Sequence, residues 1–198
     1  MLITYNREKL LNAIVYFSAN TSLCGIVKLF KLLYFLDFEH YKQTGRSVTG
    51  LDYYAWKMGP VPVDLYEEMP VPEPDLAEKV RINPIQTRFE NPLFQIEPKA
   101  EFDSSHFTRR ELTILKDLAD RYEMSKADEM IEATHVETLP WHRVYNVEHQ
   151  QRGKIPYEYA LSEDEADLIR DLEQEHREIV EAYDESGNDT SRSAVHIR

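Results

Sequence analysis

One segment dictates most of what this chain can fold into. Residues 23–43, LCGIVKLFKLLYFLDFEHYKQ, are apolar on nearly all sides. A helix that is hydrophobic all round has to be buried, so the spacing predicts a central core helix with the other elements packed round it. Lys28, Lys31 and Asp37 interrupt the run, which is therefore too short and too charged to span a bilayer. Gly45 follows Thr44 and suits a left-handed C-cap, while Thr21 and Ser22 offer hydroxyls to the N-terminal N–H groups.

Around that helix the periodicity changes several times. Leu10, Leu11, Ile14 and Phe17 recur at helical spacing and predict a first helix over Thr4–Asn20. Val48–Met58 is β-branched and aromatic, predicting one or two short strands, which Gly59-Pro60-Val61-Pro62 should end because proline cannot donate to a ladder. Eight of the ten prolines fall between Gly59 and Lys99, so this section reads as short helices, turns and edge strands. Leu93–Glu97 alternates like a strand and could pair with the earlier one. Thr108-Arg109-Arg110-Glu111 is a capping box, followed by a buried stripe of Leu112, Leu115, Ala119 and Tyr122, with Glu111 itself expected at the surface. Ser125–Asp128 starts a short helix reaching about His135, and Thr138-Leu139-Pro140-Trp141 reads as a turn. Ser162–Glu165 opens a last helix with an apolar stripe from Ala166 to Tyr183. The expected fold class is α+β, predominantly helical, with a small antiparallel sheet. Residues 1–160 form one domain, 161–185 an acidic helix packed on it, and 186–198 a flexible tail.

Composition narrows the function. The 198 residues hold 36 acidic and 23 basic side chains, for a formal net charge of -13. Neutralising a phosphate backbone needs concentrated Lys and Arg, so nucleic acid is not an expected partner. The asymmetry is more informative: residues 1–60 carry +3 and the remainder -16, and Ser162–Glu185 alone carries eleven acids against Arg170 and Arg177. That last stretch is a solvated helix face or a surface for a basic partner. A single cysteine excludes an internal disulfide, and Met1–Asn20 contains no apolar run of signal-peptide type, so a cytoplasmic protein with no membrane partner is expected.

Catalytic motifs are scarce. No GxGxxG, GxxxxGK[ST] or GxSxG occurs. Cys24, among Leu23, Gly25 and Ile26, reads as a buried structural thiol rather than a nucleophile. Glu132-x-x-His135 and Glu173-x-x-His176 place carboxylate and imidazole on one helix face, as di-iron bundles require. Chance supplies about one such pair in a chain this rich in glutamate, and Asp37-x-x-His40 and Asp103-x-x-His106 arise the same way. The expectation is a non-enzymatic chain with no cofactor and no metal; a metal-dependent enzyme built on the Glu-x-x-His pairs is the alternative from another class.

A set of features is distinctive in combination: Lys31-Leu32-Leu33-Tyr34-Phe35 followed by Asp37, then Gly45 and Gly50, then Tyr54-Ala55-Trp56-Lys57-Met58-Gly59-Pro60-Val61-Pro62 with Leu65-Tyr66. Phe107-Thr108, Glu111-Leu112, Thr134-His135 and Pro140-Trp141 follow. Their order and spacing resemble the Panacea, or SocA-like, antitoxin domain, over roughly Leu23–Tyr145. The resemblance implies an antitoxin that neutralises a cognate toxin encoded beside it by direct binding, or an adaptor that hands the toxin to an energy-dependent host protease. A phage-borne inhibitor of a host defence has the same sequence character. Some members carry DNA-binding N-terminal segments; about twenty residues precede the match here, and no such segment is expected.

The residues divide between scaffold and surface. Lys31, Leu32, Leu33, Tyr34, Phe35, Gly59, His135 and Trp141 read as structural members of the motif, with Trp141 packed under a turn and His135 as its hydrogen-bond partner. Tyr53, Tyr54 and Trp56 lie on a short strand and cannot all point inwards. With Lys57, Met58, Pro60 and Pro62 they form the expected toxin-binding patch, aromatic side chains being favoured interface anchors.

Overall fold

The computed structural model describes residues 2–85, 93–136, 139–162 and 164–167. The chain divides into two compact units, Met1–Ala160 and Leu161–Arg198. In the second unit Ser162 and Glu165 exchange side-chain-to-backbone bonds that cap a helical start. The expected apolar stripe beyond residue 167 and the tail at 186–198 lie outside the described residues.

In the first unit, α1 (Leu2–Asn20) and α2 (Ile26–Thr44) are followed by β1 (Tyr53–Trp56), β2 (Gly59–Pro62), α3 (Val63–Glu68) and α4 (Pro74–Lys79). Then come β3 (Val80–Ile85), β4 (Leu93–Pro98), α5 (Arg109–Tyr122), α6 (Ala127–Thr134) and the single-turn α7 (Pro140–His142). The fold is α+β and mainly helical, with two separate two-stranded antiparallel sheets among the described residues. Helix α2 is the centre: α1, α5, α6 and β2 all pack on it, and it is buried continuously from Lys28 to Phe38. Its C-terminus closes as expected, Gly45 at φ 69° donating its N–H to the Tyr41 carbonyl.

The start of α2 departs from expectation. The helix begins at Ile26 rather than Leu23, so Thr21 and Ser22 are too far back to cap it, and Thr21 Oγ1 instead bonds back to the Phe17 carbonyl at 2.8 Å. The intervening turn puts Leu23 at φ 50°. It is clamped by Lys28, whose Nζ donates to the carbonyls of Ser22, Glu123 and Ser125 at 2.9, 3.0 and 2.9 Å. One buried ammonium thus ties the α1–α2 turn to the α5–α6 turn with all three of its donors used.

The strands also differ. Gly59–Pro62 does not end the β region; it is β2, paired with β1 in the register Tyr53↔Pro62 to Trp56↔Gly59. Proline is tolerated because antiparallel pairs alternate between bonded and non-bonded. Ala55 and Tyr53 turn their backbone groups to the other edge, where residues 152–155 bond them: Arg152 and Ile155 N–H donate to the Ala55 and Tyr53 carbonyls, and Ala55 N–H to Gly153. Their partners across the hairpin, Pro60 and Pro62, are therefore not asked for an N–H. Strand β4 pairs with β3, not with β1, and the expected turn at Trp141 is helical, with α7 running into a π-turn at Arg143–Val147.

Glu111 is a further correction. The Thr108–Glu111 capping box forms, but Glu111 is buried, with Lys9 Nζ 2.7 Å from its carboxylate. Burial opposes ionisation; the Lys9 ammonium and the Thr108 N–H outweigh it and hold the carboxyl below its ordinary value.

Candidate functional site

The motif residues converge beneath one hairpin. Leu32, Leu33, Tyr34 and Phe35 are core on α2, with Tyr34 packed on Phe38 and Tyr53. Lys31 on the same helix is also buried, and its Nζ donates 2.7 Å to the carbonyl of Pro60. Gly59 sits at φ 95°, and a β-carbon there would lie 2.7 Å from Thr134 Oγ1 and 2.8 Å from Lys31 Cε. Only glycine meets both demands, the left-handed backbone and the absent side chain. Trp141 donates its indole N–H to the Trp56 carbonyl at 2.9 Å. His135 stacks flat on Trp141, centroids 3.8 Å apart, rather than hydrogen-bonding to it. Burial and the nearby Lys31 cation push the His135 pKa down, keeping the ring neutral.

A lysine, a glycine, a histidine and a tryptophan far apart in sequence thus brace the two-residue loop Lys57-Met58 between β1 and β2. The family model for the antitoxin SocA-like Panacea domain matches residues 29–142, more than half of the chain. The chain belongs to the Panacea antitoxin family. No curated protein and no solved structure matches it. The matched model is described as an antitoxin domain of the SocA-like kind. In this Panacea domain the matched motif is what holds the hairpin at a set height over α2.

Burial then sorts the patch that the sequence singled out. Tyr53 is fully buried, its hydroxyl donating 2.7 Å to Asp37, and Pro60 and Pro62 are buried as well. These three are buried in this fold: buried and half-buried residues alternate along β1, and all four residues of β2 are buried. Tyr54 and Trp56 are half-buried, and Lys57 and Met58 are exposed. Two residues outside the original patch join it. Tyr66 of α3 packs edge-on against Trp56 at 5.1 Å, and the Arg152 guanidinium lies 5.1 Å from the Trp56 ring centroid. Tyr66 stands in the Leu65-Tyr66 pair of the motif and was readable to that extent. Arg152, 96 positions from Trp56, has no local signal.

Asp37 supports the same hairpin from below. It accepts from the N–H groups of Val48 and Thr49 at 2.8 and 2.7 Å, from the Thr49 hydroxyl, and from Tyr53. Burial nonetheless raises its pKa, against those four bonds.

Other chemistry finds little material. Among the described residues no three His, Cys, Asp or Glu side chains gather to hold a metal. Glu132 is exposed while His135 is committed to Trp141; Glu173 and His176 lie outside the described residues. Cys24 is buried, and burial pushes its thiol up to about 11, which leaves it protonated and unreactive at neutral pH. No described helix is long and apolar enough to cross a membrane.

Proposed function

We propose that this Panacea domain neutralises a toxin encoded beside it by direct protein–protein binding in the cytoplasm, without catalysis, and that the hairpin face of Tyr54, Trp56, Lys57 and Met58 is the contact. The observation that carries the reading is the exposed Lys57-Met58 tip, with Met58 53% exposed, held by hydrogen bonds from Lys31 and Trp141 to the strands on either side of it. A braced apolar projection suits binding, because little side-chain or backbone freedom is lost on docking.

The test is co-expression. The adjacent gene alone should arrest growth, and this chain should restore growth and co-purify with the toxin at fixed stoichiometry. A harmless neighbour removes the antitoxin reading. Rescue that disappears in a host lacking its energy-dependent proteases, with the toxin lifetime shortened in the wild type, replaces sequestration by proteolytic delivery.

A further inference from the structure

The proposed contact face continues past the hairpin, and its chemistry is specific. Trp56, Met58 and Tyr66 supply an aromatic and thioether surface, with Tyr66 45% exposed and edge-on to Trp56. Lys57 at the tip and Arg152 over the Trp56 ring supply two positive charges. Neither cation has an ion pair among the described residues, whereas Lys154 close by is paired with Asp52 and Arg143 with Glu148.

Strands β1 and β2 and their loop contain no carboxylate. On α3, Asp64 and Glu67 stand about 200° and 100° round the helix from Tyr66, and Glu68 is engaged with Arg7. Arg152 is held in place by backbone: it lies at φ 64°, and its N–H and the Gly153 carbonyl are fixed by the ladder to Ala55. A side chain held over an indole by a strained turn is pre-positioned for a ligand rather than sweeping through solvent.

We infer that this face takes an acidic segment of the toxin, in which Asp or Glu side chains meet Lys57 and Arg152 while an adjacent aliphatic or aromatic residue packs on Trp56, Met58 and Tyr66. The inference rests on the hairpin being the toxin contact. Charge complementarity is its argument: on a chain of net charge -13, this is a locally cationic apolar surface, and it selects the one sign of partner that the rest of the molecule repels. Two cations are too few to track a phosphate backbone, which disfavours nucleic acid as the occupant.

The experiment titrates the purified full chain with the adjacent-gene product between 50 and 500 mM NaCl at roughly constant pH, the salt range over which exposed charges become screened. Affinity should fall with salt. Lys57→Glu and Arg152→Glu should each weaken binding by about tenfold or more, and Arg152→Lys by much less, with thermal transitions unchanged because both side chains are exposed. Salt-independent binding, with both charge reversals at wild-type affinity, overturns the inference. Trp56→Ala separates the two levels. If it abolishes binding while the charge reversals do not, the hairpin reading stands and the acidic partner falls. If the toxin binds and all three variants are silent, the hairpin reading falls as well. A 20-nucleotide single strand that competes with the toxin overturns the choice of partner in favour of nucleic acid.

Discussion

The Lys31 ammonium lies 2.7 Å from the Pro60 carbonyl oxygen, with that carbonyl as its one hydrogen-bond acceptor among the described residues. An ammonium has three donors, and burial with one satisfied lowers its pKa to about 7. The unfolded chain holds the same proton to near pH 10.5. Between those values the unfolded state binds more protons, so stability rises with pH, and below about 7 the penalty is fully present. From pH 6.5 to 8.5 the urea midpoint should climb by an amount on the order of 1–2 kcal/mol in stability, and Lys31→Met should flatten that climb. Equal pH profiles for parent and variant would place the proton elsewhere.

Gly59→Ala should destabilise the protein by about 2–4 kcal/mol. The left-handed φ of 95° is one part of this and the overlaps with Thr134 and Lys31 the other. Adding Thr134→Ala should recover only part of the loss, since the Lys31 contact and the backbone conformation remain. Chemical denaturation of the single and double variants separates the two contributions.

Asp37→Ala should cost about 3 kcal/mol or more, because two backbone N–H groups and two hydroxyls lose a buried acceptor. Asp37→Asn keeps an oxygen for Val48 and Thr49 and should cost less. Burial raises the Asp37 pKa, so the folded state holds this proton more tightly than the unfolded chain. Its contribution to stability therefore falls as pH rises from the ordinary carboxylate range through the raised value. Thermal melts across the acid range should show that fall in the parent and not in Asp37→Asn.

Leu23→Asn should stabilise by about 0.5–1 kcal/mol, since asparagine tolerates the left-handed region that leucine resists. Leu23 is 73% exposed, so little packing is lost. A lowered melting temperature would show that the leucine side chain contributes more than its exposure suggests.

How much of this was legible follows from where the information resides. The body of helix α2, its Gly45 cap and the Thr108–Glu111 box are local signals, set by neighbours within a few positions, and they read correctly, whereas the start of α2 did not. The motif residues could be picked out, but not the reason for their spacing, because Lys31, Gly59, Thr134 and Trp141 meet only in three dimensions. Errors arose where a local rule was outvoted by a distant partner. Glu111 looked exposed until Lys9 reached it across the fold. The prolines looked like strand breakers until residues 152–155 took up the hydrogen bonds of β1. Which of Tyr53, Tyr54 and Trp56 points inwards was open in the sequence, and the buried Asp37 carboxylate that takes the Tyr53 hydroxyl decides it.

The three carbonyls round Lys28 resemble the oxygen cage of a bound alkali cation, except that this cation is covalently attached. One of them, from Glu123, is the C-cap carbonyl of α5, at the negative end of the helix dipole, and Ser125 follows two residues later. The protein thereby gains ionic cross-linking of two distant turns with no dissociation constant to satisfy: no chelator can strip it and no change in metal supply can weaken it. Amide protons at the two turns should accordingly exchange with solvent as one unit, although they stand about a hundred positions apart along the chain.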